Sequence, residues 1–214
     1  MAKKALIFWG GWEGHTPRES AETVSGILAG HGMEVDVHEG TAVLAKAGLG
    51  IYDLIVPMMT MTTIEKEELA ALLRAIKSGT GLAGFHGAMG DSFRNEPEYQ
   101  FMVGGQWVAH PGNIIDHRID VVKGEDPIMH GIESFDYRSE QYYMHVDPSN
   151  EVLATTTFSG EYLDFIDGVV MPVVWKKMFG KGRVFYSSLG HTASEFAVPE
   201  MRMIFERGAL WAAR

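Results

Sequence analysis

Apolar runs alternate with stretches of helical period over the first half of the chain. Ala5–Trp9 (ALIFW) is a continuous apolar run, as expected of a parallel strand buried on both faces. It ends in a glycine-rich loop, Gly10–Pro17 (GGWEGHTP). Arg18–Gly30 then places Ala21, Val24, Ile27 and Leu28 on one face of a predicted helix, with Gly30 and Gly32 to stop it. Glu34–Val37 and Tyr52–Val56 read as the next strands, the latter running into Pro57-Met58-Met59. Thr62-Thr63-Ile64-Glu65 has capping-box spacing and predicts a helix to about Lys77, striped by Leu69, Leu72, Leu73 and Ile76. Leu82–Phe85 is a short apolar run broken by His86-Gly87-Ala88. Such alternation predicts the α/β class: a flavodoxin-like three-layer sandwich with a mostly parallel sheet.

After Gly112 the period changes. Asn113–Val122 alternates Ile115, His117, Ile119 and Val121 against Asp116, Arg118 and Asp120, which suits a half-buried strand. Asp126–Gly131 (DPIMHG) reads as a short helical turn. Glu140–Val146, Val152–Phe158 and Met171–Met178 are further predicted strands, and Phe179–Gly182 is a hairpin turn into Arg183–Ser188. A closing helix is expected over about Pro199–Ala213. With no repeat, linker or low-complexity segment, residues 1–214 read as one domain.

Composition narrows the classes. At 46% hydrophobic and 21% charged residues, the chain resembles a soluble globular protein. Its apolar runs are too short for a membrane helix. The start, Met1-Ala2-Lys3-Lys4, is followed by too short an apolar segment for a secretion signal, so a cytoplasmic location is expected. Net charge of −10 argues against nucleic acid and anionic membranes, whose phosphates need Lys and Arg. The chain has no cysteine, which excludes disulfides, thiolate metal sites and Cys nucleophiles.

Chemistry concentrates in Gly84–Gly112. An apolar strand that stops at His86 between glycines predicts a sharp elbow with unusual backbone angles, at the sheet edge where open α/β folds bind ligands. Asp91, Arg94, Gln106, Trp107 and His110 follow in the same stretch. His15 and His191 also follow predicted strands, and Glu140 to His145 (EQYYMH) can reach the same edge. His31, His38, His117 and His130 read as surface or turn residues. The chain lacks Gly-x-Ser-x-Gly, a Walker loop, Gly-x-Gly-x-x-Gly and His-Glu-x-x-His, which disfavours acyl transfer, nucleotide hydrolysis, dinucleotide redox chemistry and helix-borne zinc proteolysis. A pocket of imidazoles and a few carboxylates suits proton transfer near neutral pH. It also suits a divalent metal held by His15, His110, His145, His191 and Glu140. Trp12, Trp107, Tyr142 and Tyr143 are candidate platforms for a sugar ring.

Gly10–Pro17, Gly84–Gly112, Asp126–Gly131, Glu140–His145 and Gly182–His191 (GRVFYSSLGH) together resemble the ThuA-like (trehalose utilisation) family across most of the chain. The resemblance implies a class I glutamine-amidotransferase-like sandwich, with His86 and His191 at the positions that hold Cys and His in those enzymes. Without cysteine, glutamine hydrolysis is ruled out. It also implies carbohydrate catabolism beside a sugar dehydrogenase that yields a 3-keto glycoside. In that setting a base, His86 or His145, would remove the C2 proton. His191 or a metal would stabilise the enolate, and Glu140 would act as acid in elimination or isomerisation. His15, Asp91, Arg94, Gln106, Trp107, His110 and Tyr142 would bind the sugar. The alternatives are a non-catalytic carbohydrate-binding or sensing protein, a metal-dependent sugar hydrolase, and a subunit docking on a partner through an apolar patch near Met58–Met61. The sequence leaves open whether the chain is a homo-oligomer.

Overall fold

The N-terminal apolar run forms β1 (Lys4–Gly11), and the stripe after it forms α1 (Pro17–Gly30), with Ala21, Val24, Ile27 and Leu28 all buried. β2 (Glu34–Glu39), the short α2 (Val43–Lys46), β3 (Leu54–Thr60), α3 (Lys66–Lys77) and β4 (Gly81–Phe85) follow. The elbow opens a single-turn helix α4 (His86–Gly90), then α5 (Pro97–Val103) and β5 (Gly105–Ala109). The second half runs β6 (Ile114–Val121), β7 (Phe135–Glu140), β8 (Tyr143–Val146), β9 (Glu151–Thr157), β10 (Val170–Phe179), β11 (Gly182–Ser187) and α6 (Pro199–Ala212). This computed structural model describes residues 2–46 and 48–214; Met1, at the head of the two-lysine start, lies outside them.

Nine strands form one sheet in the order β2-β1-β3-β4-β11-β10-β9-β6-β7, while β5 and β8 pair as a separate ribbon. The β2-β1-β3-β4-β11 part is parallel, and β10, β9, β6 and β7 extend it antiparallel. Alternation along β1 sends Ala5 and Ile7 to one face and Leu6 and Phe8 to the other. Ile204 and Phe205 of α6 join the first core, with Val24 and Leu28 of α1. Leu72 and Ile76 of α3 join the second, with Met102 of α5. Each such side chain contributes about 1.5–3 kcal/mol of burial, which fixes the three layers. No described helix is long and apolar enough to cross a membrane.

Local details depart from expectation. The cap of α3 is Glu65, not Thr62: Glu65 and Glu68 form the capping box, and the Thr62 hydroxyl donates to Met59 O (2.6 Å). Asp126–Gly131, by contrast, makes the short hydrogen-bonded turn expected of it (Met129 N to Asp126 O, 2.9 Å). The predicted strand Glu140–Val146 is broken at Gln141-Tyr142, where the chain leaves the main sheet for the ribbon. Met58 and Met59 lie buried in β3, so the apolar patch expected at Met58–Met61 shrinks to exposed Met61.

Pro57 sits within β3, although proline cannot donate to a ladder. The β3–β4 register runs only through Leu54↔Gly81 and Ile55↔Leu82, stopping two residues before it. Beyond that point no β3–β4 pair follows, and the ends of the two strands lead to Thr60 and His86.

Candidate active site

β1, β3, β4 and β11 are neighbours in the sheet, and their C-terminal ends deliver polar residues to one place. His15 ends a 3-10 turn (Glu13–His15) after β1, Thr60 is the last residue of β3, His86 follows β4 directly, and His191 lies just past β11. His86 adopts φ 44, a left-handed backbone that costs about 1–2 kcal/mol outside glycine. At Gly87 a Cβ would lie 2.4 Å from His15 Cε1, so only glycine lets the β1 loop approach the elbow this closely.

Glu140 arrives from the antiparallel half as the last residue of β7. The crossing that follows is pinned by Gln141, whose Nε2 donates to Thr156 Oγ1 (2.7 Å) and Thr157 O (3.2 Å). Tyr142 then stacks on the His86 ring, with centroids 4.0 Å apart. Glu140 Oε2 lies 3.0 Å from His86 Nε2, 3.4 Å from His191 Nδ1 and 3.9 Å from His15 Nε2. Oε1 lies 3.7 Å from His110 Nε2. Among the described residues, every ion-pair partner of this buried carboxylate is a histidine, and none is Lys or Arg.

Burial alone would raise the Glu140 carboxyl, but the neighbouring imidazoles of His15, His191 and His86 outweigh it and hold the group well below the usual carboxylate range. His86 is only 1% exposed, and burial pushes its imidazole down to about 4 despite Glu140. Burial also acts to lower His191, yet the Glu140 carboxylate raises it overall. His86 Nδ1 lies 2.8 Å from Ser188 O, so both its ring nitrogens face acceptors. A neutral imidazole has one N–H; one of those two contacts therefore lacks a proton.

Other groups hold the constellation in place. The Tyr186 hydroxyl donates to His86 O (2.9 Å), and His15 Nδ1 meets Thr60 Oγ1 at 2.9 Å. Glu195 accepts from His191 N (2.9 Å), from Ser139 Oγ (2.9 Å) and from the Tyr137 hydroxyl, fixing the loop that carries His191.

Beside the cluster stands a wall. Asp91 grips Arg94 through two hydrogen bonds, and the Arg94 guanidinium lies 4.7 Å over Trp107. Trp107 packs on His110 (5.5 Å) and Tyr142 (6.1 Å). Trp12, half exposed, meets His15 edge-on at 4.8 Å. Trp107 Nε1 and His110 Nδ1 are buried without a protein partner.

Of the residues expected from sequence, His15, His86, His191 and Glu140 thus converge, with His110 and Tyr142 around them and Asp91, Arg94 and Trp107 alongside. Gln106 and His145 do not join them. They face each other across the ribbon and line a separate groove with Phe101, His145 being exposed. Thr60, Ser188 and Glu195 escaped sequence reading. Thr60 was within reach of the strand-end rule, whereas Ser188 acts through its backbone and Glu195 through a loop contact. His15, His86, His191 and Glu140 place their ligand atoms within 4.8 Å of one another, close enough to hold a metal ion or relay a proton.

A sequence profile of the ThuA family, described as trehalose utilisation, matches residues 4–212. No curated protein matches. A ThuA-like protein from Parabacteroides merdae superposes with a TM-score of 0.81 at 18% identity, covering 99% of this chain and 90% of that one. One from Bacteroides uniformis gives 0.79 at 22%, covering 98% and 91%. A β-galactosidase from Bacillus circulans sp. alkalophilus gives 0.58 at 16%, with 99% of this chain matching 30% of that enzyme.

Proposed function

This chain belongs to the ThuA family, and on that premise we propose that it acts on an oxidised (3-keto) glycoside, abstracting the C2 proton and then eliminating or isomerising. The observation that carries the reading is the buried Glu140 carboxylate ringed by four imidazoles beside an aromatic and Arg94 wall. A sugar's C–H faces pack on Trp107, and its hydroxyls reach Arg94.

The C3 carbonyl acidifies the C2 hydrogen. Its proton passes to His110, the cluster's most exposed imidazole, and the electron pair enters the enolate. From sequence the base was expected at His86 or His145. Both His86 nitrogens are engaged and His145 stands on the ribbon, so His110 is the better placed. His191, whose imidazole Glu140 raises despite burial, stabilises the enolate oxygen. Glu140 is held ionised and therefore serves as counter-charge rather than acid. Protonated His110 returns its proton to the departing C1 oxygen in elimination, or to C3 in isomerisation, with the O2 proton passing to O3.

Rates of disappearance of a 3-keto glycoside test this reading. His110→Ala is expected to lower turnover by about 10²–10⁴-fold with the fold intact. Unchanged turnover in that variant would remove His110 from the chemistry. Binding without turnover across a panel of keto and parent sugars would favour a sensing role instead.

A further inference from the structure

We propose that His15 Nε2, His86 Nε2, His191 Nδ1 and the Glu140 carboxylate form a binding site for one divalent transition-metal ion of the zinc type. The inference deepens the reading above, because the cation would supply the enolate stabilisation assigned there to His191.

Spacing is the first argument. Ligands about 2.0–2.1 Å from a tetrahedral zinc ion stand about 3.3 Å from one another. Glu140 Oε2 lies 3.0, 3.4 and 3.9 Å from the nitrogens of His86, His191 and His15, which brackets that value. All the ligand atoms fall within 4.8 Å of one another.

The outer contacts agree. Ligating histidines usually donate their second N–H to a carbonyl or another acceptor, which aims the free lone pair at the metal. His86 Nδ1 meets Ser188 O at 2.8 Å, and His15 Nδ1 meets Thr60 Oγ1 at 2.9 Å. With Nδ1 as the protonated nitrogen, Nε2 of each ring turns a lone pair toward Glu140. His191 Nδ1 is buried, aimed at the same carboxylate and without a hydrogen-bond partner. Lone pairs pointing at an anion repel, and no described Lys or Arg reaches Glu140 to compensate. A shared cation removes the conflict at all three nitrogens. Three imidazoles and one carboxylate form the nitrogen-rich donor set that suits zinc rather than magnesium or calcium.

The test needs no substrate. The purified chain is stripped with chelator, dialysed and titrated with Co²⁺, following visible absorption, thermal midpoint and bound metal per chain. The expected result is one Co²⁺ per chain with the visible bands of a four-coordinate site, displaced by Zn²⁺ and accompanied by a raised midpoint. His191→Ala removes a ligand at the pocket's mouth and Glu140→Gln keeps the side chain's shape. Each, confirmed as folded by circular dichroism, should weaken binding by at least about 100-fold. His38→Ala, which removes an exposed imidazole, should bind as wild type does. Absence of stoichiometric binding to wild type, or equal affinity in the two folded site variants, overturns the inference. Keto-glycoside turnover by metal-free protein would overturn it as part of the mechanism while leaving the proposed function standing. A metal-loaded chain inert toward keto-glycosides would do the reverse.

Discussion

Glu140 carries a buried negative charge, and among the described residues its ion-pair partners are all imidazoles. Replacing it with Gln keeps the volume but leaves neither counter-charge nor anionic ligand. Turnover of a 3-keto glycoside is expected to fall by about 10²–10³-fold, read from initial rates on folded protein. Activity within a few-fold of wild type would show that the carboxylate is only structural. His15, His86 and His191 were legible in the sequence because each follows an apolar run, and open α/β sheets bind ligands at that edge. Glu140 was legible as a candidate, but its role was not, since the ring of histidines that keeps it ionised forms only in three dimensions. His145 misled because EQYYMH reads as one strand. The break at Gln141-Tyr142 puts Glu140 in the cluster and His145 on the ribbon.

Helix packing against the sheet depends on close approach at particular glycines. Gly208 in α6 faces Phe185 of β11 so closely that a Cβ would lie 2.3 Å from the ring. Gly208→Ala should therefore destabilise by about 1–3 kcal/mol, measured by urea unfolding. Gly26 lies on the exposed side of α1 with nothing within reach of a Cβ, and Gly26→Ala should stabilise by about 0.5–1 kcal/mol. Opposite signs for two identical changes would confirm the assigned faces. The ribbon is tied to the main sheet by Lys177, which donates to Asp147 Oδ2 (3.0 Å) and Phe101 O (2.9 Å). Hydrogen bonds from Ser149, then Lys177, hold the Asp147 carboxyl down to about 2. Its stabilising contribution is thus full above the unfolded value of about 3.9 and is lost as pH falls through about 2. Asp147→Asn should cost about 1 kcal/mol at neutral pH, after solvent screening, and clearly less at pH 2. An equal cost at both pH values would contradict that origin. The strands and long helices were legible from period, whereas α5 and β5 were not. Both lie in the stretch read as the active-site segment, each too short to show a period, and β5 is stabilised by pairing with β8, far away in sequence.

Across the chain, the α/β sandwich was legible because continuous apolar strands fit only a sheet covered on both faces. The antiparallel extension through β10, β9, β6 and β7 was harder to read, since alternation predicts half-buried strands without their partners. That extension matters because β7 brings Glu140 to the histidines of the parallel half. The site is thus assembled from both halves, and its central claim is proton abstraction from an oxidised sugar. Incubating the chain with a 3-keto glycoside in deuterated water and following the C2 position by NMR tests it most directly. Deuterium at C2, or loss of the C2 proton on elimination, is expected with wild-type protein, and at least about 100-fold more slowly with Glu140→Gln or His110→Ala. A C2 proton that persists unchanged with wild-type protein, while the sugar is bound, would contradict it.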